Sequence, residues 1–270
     1  MKKLIQRKTL LIFANYSKGT LLPSVKAYLS HLAPYFTEVV VASNLKLNLP
    51  PHNLKYNLKI CENKGYDFGM WYNILRDINL KQYDRIALVN DSNTLVGNFE
   101  DVFRWGDNNG LDMWGLTDSQ ERPQNYIGRG SYHIQSFFLV FERKAIKHLM
   151  NFYSSVDFDN RLMHVSSQLL REKIINECEL GLTQHMVKKR MKVGARWSIF
   201  HKNKKWTRYP ANMHVLLWEE LLKDGYPLMK NKIIEGYYDE NRGNIYKFRF
   251  NFDESVLLKN AKNRWKYLNK

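Results

Sequence analysis

The sequence predicts an α/β fold, a mostly parallel central sheet with helices on both faces, and three observations carry that prediction. Short apolar runs rich in β-branched residues, too short for helices, recur along the chain and stop at polar turn residues. Stretches with the i, i+3, i+4 spacing of an amphipathic helix separate them. The runs are apolar throughout rather than alternately, which is the pattern of strands covered on both faces.

The first run, Leu10 to Ala14 (Leu-Leu-Ile-Phe-Ala), is closed by Asn15-Tyr16-Ser17-Lys18-Gly19 and reads as a buried strand and a turn. A helix from Pro23 to Pro34 follows, then a strand from Glu38 to Ser43 that is β-branched at Val39, Val40 and Val41. A third strand is expected at Leu58 to Cys61, a helix at Phe68 to Ile78, and a buried strand at Arg85 to Val89 ending in Asn90-Asp91-Ser92. Beyond it, Leu111 to Leu116 and Ser136 to Phe141 read as strands, Arg143 to Tyr153 as a basic helix, and Gly181 to Val193 as a helix with an apolar stripe. In open α/β sheets the ligand sits outside the carboxyl ends of the strands, so the polar residues that end these runs are the ones to inspect.

With 270 residues and 44% hydrophobic content the chain can bury one large core. We expect a single domain over residues 1–250 and a basic, aromatic tail over 251–270. Two cysteines, Cys61 and Cys178, make no disulfide framework and no zinc pattern, which fits a reducing cytoplasm. The basic N-terminus leads into an apolar run broken by Asn15, Ser17 and Lys18, unlike a signal peptide, and no stretch approaches the roughly 20 apolar residues of a membrane span. A net charge of +16 implies an anionic partner: nucleic acid, an acidic lipid surface or a phosphorylated substrate. The excess gathers in Lys188-Lys189-Arg190, in Lys202 to Arg208 and in Lys259 to Lys270, with Trp206, Tyr209, Trp265 and Tyr267 interleaved. That mixture suits a membrane interface or a nucleic acid, and a solvated basic face is the plainer reading.

Five segments carry chemistry. Asn90-Asp91-Ser92-Asn93 clusters oxygen-bearing side chains at a strand end, where they can hold Mg²⁺ or Mn²⁺ against a diphosphate or simply cap a turn. Asn63-Lys64-Gly65-Tyr66-Asp67-Phe68-Gly69 opens a helix with two glycines and an acid, a place for phosphates or a nucleoside, and equally a capped helix start. Trp114-Gly115-Leu116-Thr117-Asp118-Ser119 and Tyr132-His133-Ile134-Gln135-Ser136 offer polar groups to one rim and suggest a sugar or acceptor subsite at Trp114, Thr117, His133 and Gln135, with a structural role the alternative for His133. Glu177-Cys178-Glu179-Leu180-Gly181 puts carboxylates before a helix, as a general base or as a dipole cap.

In chain order, Asn63 to Gly69, Leu88 to Ser92, Asp112 to Ser119, His133 to Phe141, Glu179 to Gln184 and Trp218-Glu219-Glu220-Leu221 resemble the rhamnan synthesis protein F family, bacterial and viral glycosyltransferases that build rhamnose-containing and related polysaccharides. The resemblance implies a GT-A glycosyltransferase fold and transfer of a sugar from a nucleotide-diphosphate donor to a glycan acceptor, with inversion. It implies a divalent metal, Mn²⁺ or Mg²⁺, at Asp91 with His214 as a late ligand, although Asn90 stands where the first acid of the family's metal motif would be. It further implies a nucleotide-sugar site at Asn15, Lys64, Gly65, Asp67, Asn90, Asp91 and Ser92, and Glu179 as base with Asp118 as the alternative. A lipid-linked acceptor would place a cytoplasmic protein peripherally on an anionic membrane surface, with the tail as anchor. The rivals are a nucleic-acid-binding protein, for which no motif is visible and which is not expected, and a catalytically idle scaffold, for which Asn90 is the support.

Overall fold

The computed structural model describes residues 7–16, 19–48, 56–121, 130–162, 167–201 and 212–234. In chain order the main elements are β1 (Thr9–Asn15), α1 (Pro23–Leu32), β2 (Glu38–Ser43), β3 (Tyr56–Ile60), α2 (Tyr66–Leu75), β4 (Arg85–Asn90), β5 (Asn93–Leu95), α3 (Glu100–Asn108), β6 (Met113–Ser119), β7 (His133–Ile134), β8 (Phe138–Glu142), α4 (Arg143–Ile146), α5 (Leu149–Ser155), α6 (Ser167–Lys173), α7 (Gly181–Lys188), β9 (Val193–Trp197) and β10 (Leu228–Lys230). An eight-stranded sheet runs β3-β2-β1-β4-β8-β6-β7, with β9 also paired to β6. Strands β1 to β4 are parallel, β8 is antiparallel to both β4 and β6, and β9 is parallel to β6. Strand β6 therefore runs with β4, and the carboxyl ends of β1–β4, β6 and β9 share one edge. A separate ribbon pairs β10 with β5.

This is the mostly parallel α/β architecture that the sequence predicts, and the reason is visible in β1. Every residue of that strand is buried. Leu10, Ile12 and Ala14 pack into the core under α2, α5 and α7, while Leu11 and Phe13 pack under α1 and α3. Strand β4 repeats the division with Ile86 and Leu88 on one side and Ala87 and Val89 on the other. A strand buried on both faces has no solvent face to mark with polar residues.

The turn into α2 needs glycine twice. Gly65 has φ of 77° and Tyr66 follows at 53°, a left-handed corner between β3 and the helix. Farther in, a Cβ on Gly69 would lie 1.6 Å from the Lys64 carbonyl oxygen. That carbonyl is folded back against the helix and leaves no room for any side chain.

Several expected boundaries move. The basic helix from Arg143 to Tyr153 divides into α4 and α5, and the helix expected to reach Val193 stops at Lys188, because Arg190 adopts φ of 60° and Val193 begins a strand paired with β6. The strand expected at Leu111 to Leu116 runs from Met113 to Ser119, and the next from Phe138 to Glu142. Glu177 and Glu179 lie inside a π-helical segment, Ile174–Leu180, that continues directly into α7. There is no helix start for Glu179 to cap, and that reading is withdrawn.

Trp114 is also corrected. It stands at the amino end of β6, fully buried, and its Nε1 donates to Glu142 Oε1 at 3.1 Å. Arg85, 5% exposed, bonds Glu142 and Asp107 at 2.6 and 2.7 Å with its guanidinium over the Trp114 ring. This paired cluster locks the rim opposite the carboxyl edge, so Trp114 takes no part in a sugar subsite. The basic segment Lys202 to Arg208 and the tail 251–270 lie outside the described residues. Among those residues both cysteines are free and buried, and no helix is long and apolar enough to cross a membrane.

Two helical glycines, Gly69 in α2 and Gly181 in α7, make opposite predictions. Gly69→Ala should lower unfolding free energy by about 3 kcal/mol or more, since it drives a methyl into backbone. Gly181→Ala, whose Cβ would find its nearest neighbours at 3.7 Å, should be neutral or gain up to about 1 kcal/mol. Urea titration of the two variants checks the contrast, and equal effects would refute it.

Candidate functional site

The center of the site is the last residue of β4. Asn90 is 4% exposed and uses both ends of its amide: Nδ2 donates to Asp67 Oδ2 at 2.6 Å, and Oδ1 accepts from Ser92 N at 3.1 Å and Ser92 Oγ at 2.6 Å. An aspartate here would set a second carboxylate against Asp67 with no proton between them. The departure from an acidic motif thus has a local cause: this position must donate as well as accept.

Asp67, half-buried in the first turn of α2, is pushed up to about 6. Burial is the main cause, the Asn90 bond opposes it, and the neighboring Glu179 charge adds to it. Glu179 accepts from Ser136 Oγ at 3.1 Å and from Ser136 N at 3.5 Å, so its carboxylate reaches from the π-helical turn to the loop between β7 and β8. Asp91 binds the exits of β1 and β4 together: its N–H donates to Ala14 O and its Oδ2 accepts from Tyr16 N, both at 3.1 Å. Asn15, at the end of β1, is buried, and its Nδ2 has no partner among the described residues. Asn15, Asp67, Asn90, Asp91, Ser92 and Glu179 therefore come together at the carboxyl edge.

Gly65 shapes the corner beneath them, but Lys64 points elsewhere. It is exposed, pairs with Glu62 at 2.5 Å, and lines an open cleft of about 390 Å³ on the outer flank of α2 with Lys59, Arg76 and Asp159. Asp118 is fully buried. It accepts from Ile199 N at 2.7 Å, Ser198 Oγ at 2.6 Å and Tyr132 OH at 3.0 Å. Burial raises its pKa and these donors restrain the rise. A carboxylate closed off by three donors ties β6, β7 and the exit of β9 together and cannot reach an attacking hydroxyl, so the alternative assignment as base is set aside.

Thr117 is buried beside Tyr226. His133 Nδ1 bonds Ser131 O at 2.8 Å, its Nε2 lies 3.4 Å from Gln135 Nε2, and Gln135 Oε1 accepts from Asn212 Nδ2 at 3.5 Å, a buried polar chain running toward His214. His214 is 1% exposed, with Phe137 and Tyr226 ring centroids at 4.4 and 5.4 Å. Burial holds it well below the usual histidine range.

The expected divalent metal does not fit these donors. Asp67 bonds Asn90, Asp91 bonds Tyr16 and Glu179 bonds Ser136, each across a different part of the edge, and His214 is packed against Phe137 and Tyr226. Among the described residues no group of three or more His, Cys, Asp or Glu side chains is arranged to hold a metal ion.

Sequence reading missed two residues that the fold brings here from far along the chain. Asn231 Nδ2 donates to Asp91 O at 2.6 Å and its Oδ1 accepts from Thr94 Oγ1 at 2.7 Å. Lys230, at the end of β10, lies opposite Asn93. The Trp218-Glu219-Glu220-Leu221 segment helps carry this ribbon, with Trp218 packed on Val96, Met229 and Ile234. No local signal marks either residue.

The model of one family, described as rhamnan synthesis protein F, matches residues 39–252. The chain belongs to the rhamnan synthesis protein F family. No curated protein matches the sequence. Solved structures to which the chain is similar include a Bacillus anthracis chain described as a glucose-1-phosphate thymidylyltransferase, in complex with a sucrose, at 10% identity and a TM-score of 0.43, covering 70% of this chain and 86% of that one. Another, from Desulfovibrio desulfuricans G20, is described as a nucleotide-diphospho-sugar transferase, at 11% identity and a TM-score of 0.38, covering 82% and 98%. A 4-diphosphocytidyl-2C-methyl-D-erythritol synthase from Anaerococcus prevotii matches at 11% identity with a TM-score of 0.38, covering 70% and 88%.

In this family member the Asp67 shift has a measurable consequence. An acid whose folded pKa is raised favors folding fully below the unfolded value near 3.8, and that contribution is lost as pH rises through about 6. Asp67→Asn keeps an acceptor for Asn90 and removes the buried charge. It should be more stable than the parent by of order 1–2 kcal/mol at pH 7.5, with the difference shrinking toward pH 5. Thermal unfolding across that range checks it, and a pH-independent difference would count against it.

Proposed function

We propose that this family member, a nucleotide-sugar-utilising transferase, is a GT-A glycosyltransferase that passes a hexosyl or deoxyhexosyl unit, rhamnose or a related sugar, from a nucleotide-diphosphate donor to a growing cell-surface polysaccharide or lipopolysaccharide glycan, with inversion. The observation that carries the proposal is Glu179, fixed on Ser136 beside the Asp67–Asn90 pair at the carboxyl edge of the sheet. In the step, the acceptor hydroxyl oxygen attacks the anomeric carbon. The bond from that carbon to the diphosphate oxygen breaks with its electron pair, and the hydroxyl proton passes to Glu179. Asn15, Asn90, Asp91 and Ser92 at the exits of β1 and β4 bind the donor. His133 and Gln135 line the sugar or acceptor side. Holding both substrates in line at one edge supplies orientation without covalent chemistry by the protein.

The acceptor is carried on a lipid in the inner leaflet of the cytoplasmic membrane, and the basic tail 251–270 attaches the protein there peripherally. Co-sedimentation with anionic liposomes tests this second point: binding should fall at least about tenfold when the chain ends after Asp253, and equal binding would remove the anchor.

The transfer itself is tested by screening a panel of nucleotide sugars and then assaying Glu179→Gln. Its kcat should fall at least about 10²-fold with little change in donor affinity, because a base acts only as the transition state forms. Asp118→Asn should show lowered stability instead, since three donors lose their carboxylate. A folded, inactive Asp118→Asn beside an active Glu179→Gln would exchange the two roles.

A further inference from the structure

Lys230 is half-buried, yet among the described residues its ammonium has no hydrogen-bond or ion-pair partner. Burial lowers its pKa, Glu179 and Glu121 pull it up from a distance, and Lys232 and Arg171 push it down. Strand pairing sets Lys230 opposite Asn93, one residue beyond the Asn90-Asp91-Ser92 turn, and Asn231 fastens that register to the Asp91 carbonyl. The ammonium is therefore held at the same edge as the proposed base, by backbone pairing rather than by its own contacts.

A second, independent observation adjoins it. His214 is 1% exposed, neither ring nitrogen has a partner among the described residues, and it is close enough to Lys230 for that charge to lower its pKa. Buried polar groups are nearly always satisfied, so an unpaired imidazole beside an unpaired ammonium calls for a ligand that supplies acceptors to both. An ammonium and a neutral imidazole N–H are donors for oxyanions. Neither is suited to a divalent cation alongside the other, because the ammonium repels it.

We propose that Lys230, with His214 behind it, is the binding site for the diphosphate of the donor and supplies the positive charge there in place of a divalent metal. The inference rests on the glycosyltransferase reading for the identity of its ligand, but the site itself is defined by anion chemistry. In the transfer step Lys230 meets the negative charge that grows on the departing diphosphate oxygen, while Glu179 takes the acceptor proton.

Calorimetric binding of inorganic pyrophosphate to the full chain in EDTA tests the site directly, using Lys230→Met and Lys230→Arg. Wild type should bind without added metal, Lys230→Met should bind about 10- to 100-fold more weakly, and Lys230→Arg should retain most of the affinity. Removing an unpaired, half-buried charge should also leave the thermal midpoint of Lys230→Met unchanged or higher, where a structural lysine would lower it. Unchanged affinity in Lys230→Met, binding by wild type only when Mn²⁺ or Mg²⁺ is present, or a Lys230→Met that unfolds would each overturn the proposal. Pyrophosphate binding that depends on Lys230, without transfer from any nucleotide sugar, would sink the glycosyltransferase reading and leave the anion site standing. Transfer that is unaffected by Lys230→Met would do the reverse.

Discussion

Strands β1 and β4 are buried on both faces, and that constraint orders the rest of the molecule. Neither strand can carry a polar side chain in its interior without a partner, so polarity is driven to the ends. At the amino end of β4 it takes the form of Arg85, closed by Glu142 and Asp107 and covered by Trp114. At the carboxyl ends it takes the form of Asn15, Asn90 and Asp91. The two rims differ in how completely their groups are paired. A closed ion cluster fixes one edge, and the other keeps unpaired donors, which is the condition for binding something.

Asn90 shows how the open edge is held in place. One amide satisfies Asp67 on one side and Ser92 on the other, so the turn after β4 is set by a single side chain that is both donor and acceptor. The Glu179 charge adds to the cost of charging Asp67, and it also acts on the Lys230 ammonium, whose pKa it pulls up. With two carboxylates, one ammonium and a neutral buried imidazole, the edge is arranged for a substrate that brings both a proton to remove and negative charge to stabilize.

Saturation of acceptors separates the carboxylates that sequence alone leaves equivalent. Asp118 and Glu179 both sit in strongly patterned segments near the sheet edge. Asp118 is used up by Tyr132, Ser198 and Ile199, whereas Glu179 takes, among the described residues, the two donors of Ser136 and remains half-buried rather than sealed. The first arrangement makes a clamp between β6 and β9, the second a group able to accept a proton.

The sequence by itself determined the layers. Uninterrupted apolar runs marked β1, β2 and β4 within a residue or two, because burial on both faces is written locally as the lack of polar residues in the strand interior. It also marked Asn90, Asp91 and Asp67, since polar residues at strand ends and helix starts are local features, whereas Glu179, expected just before a helix, lies inside the π-helical segment. Tertiary structure alone decided what these groups do. Trp114 left the site because its end of β6 faces the wrong rim, and the helix expected to reach Val193 gave way to β9 because β6 offered a pairing edge. Lys230 and Asn231 reached the site through the pairing of a three-residue ribbon, and Asn231 meets Asp91 across 140 positions. A contact of that range leaves no trace in local periodicity, because its stabilization comes from the partner and not from the segment that carries it.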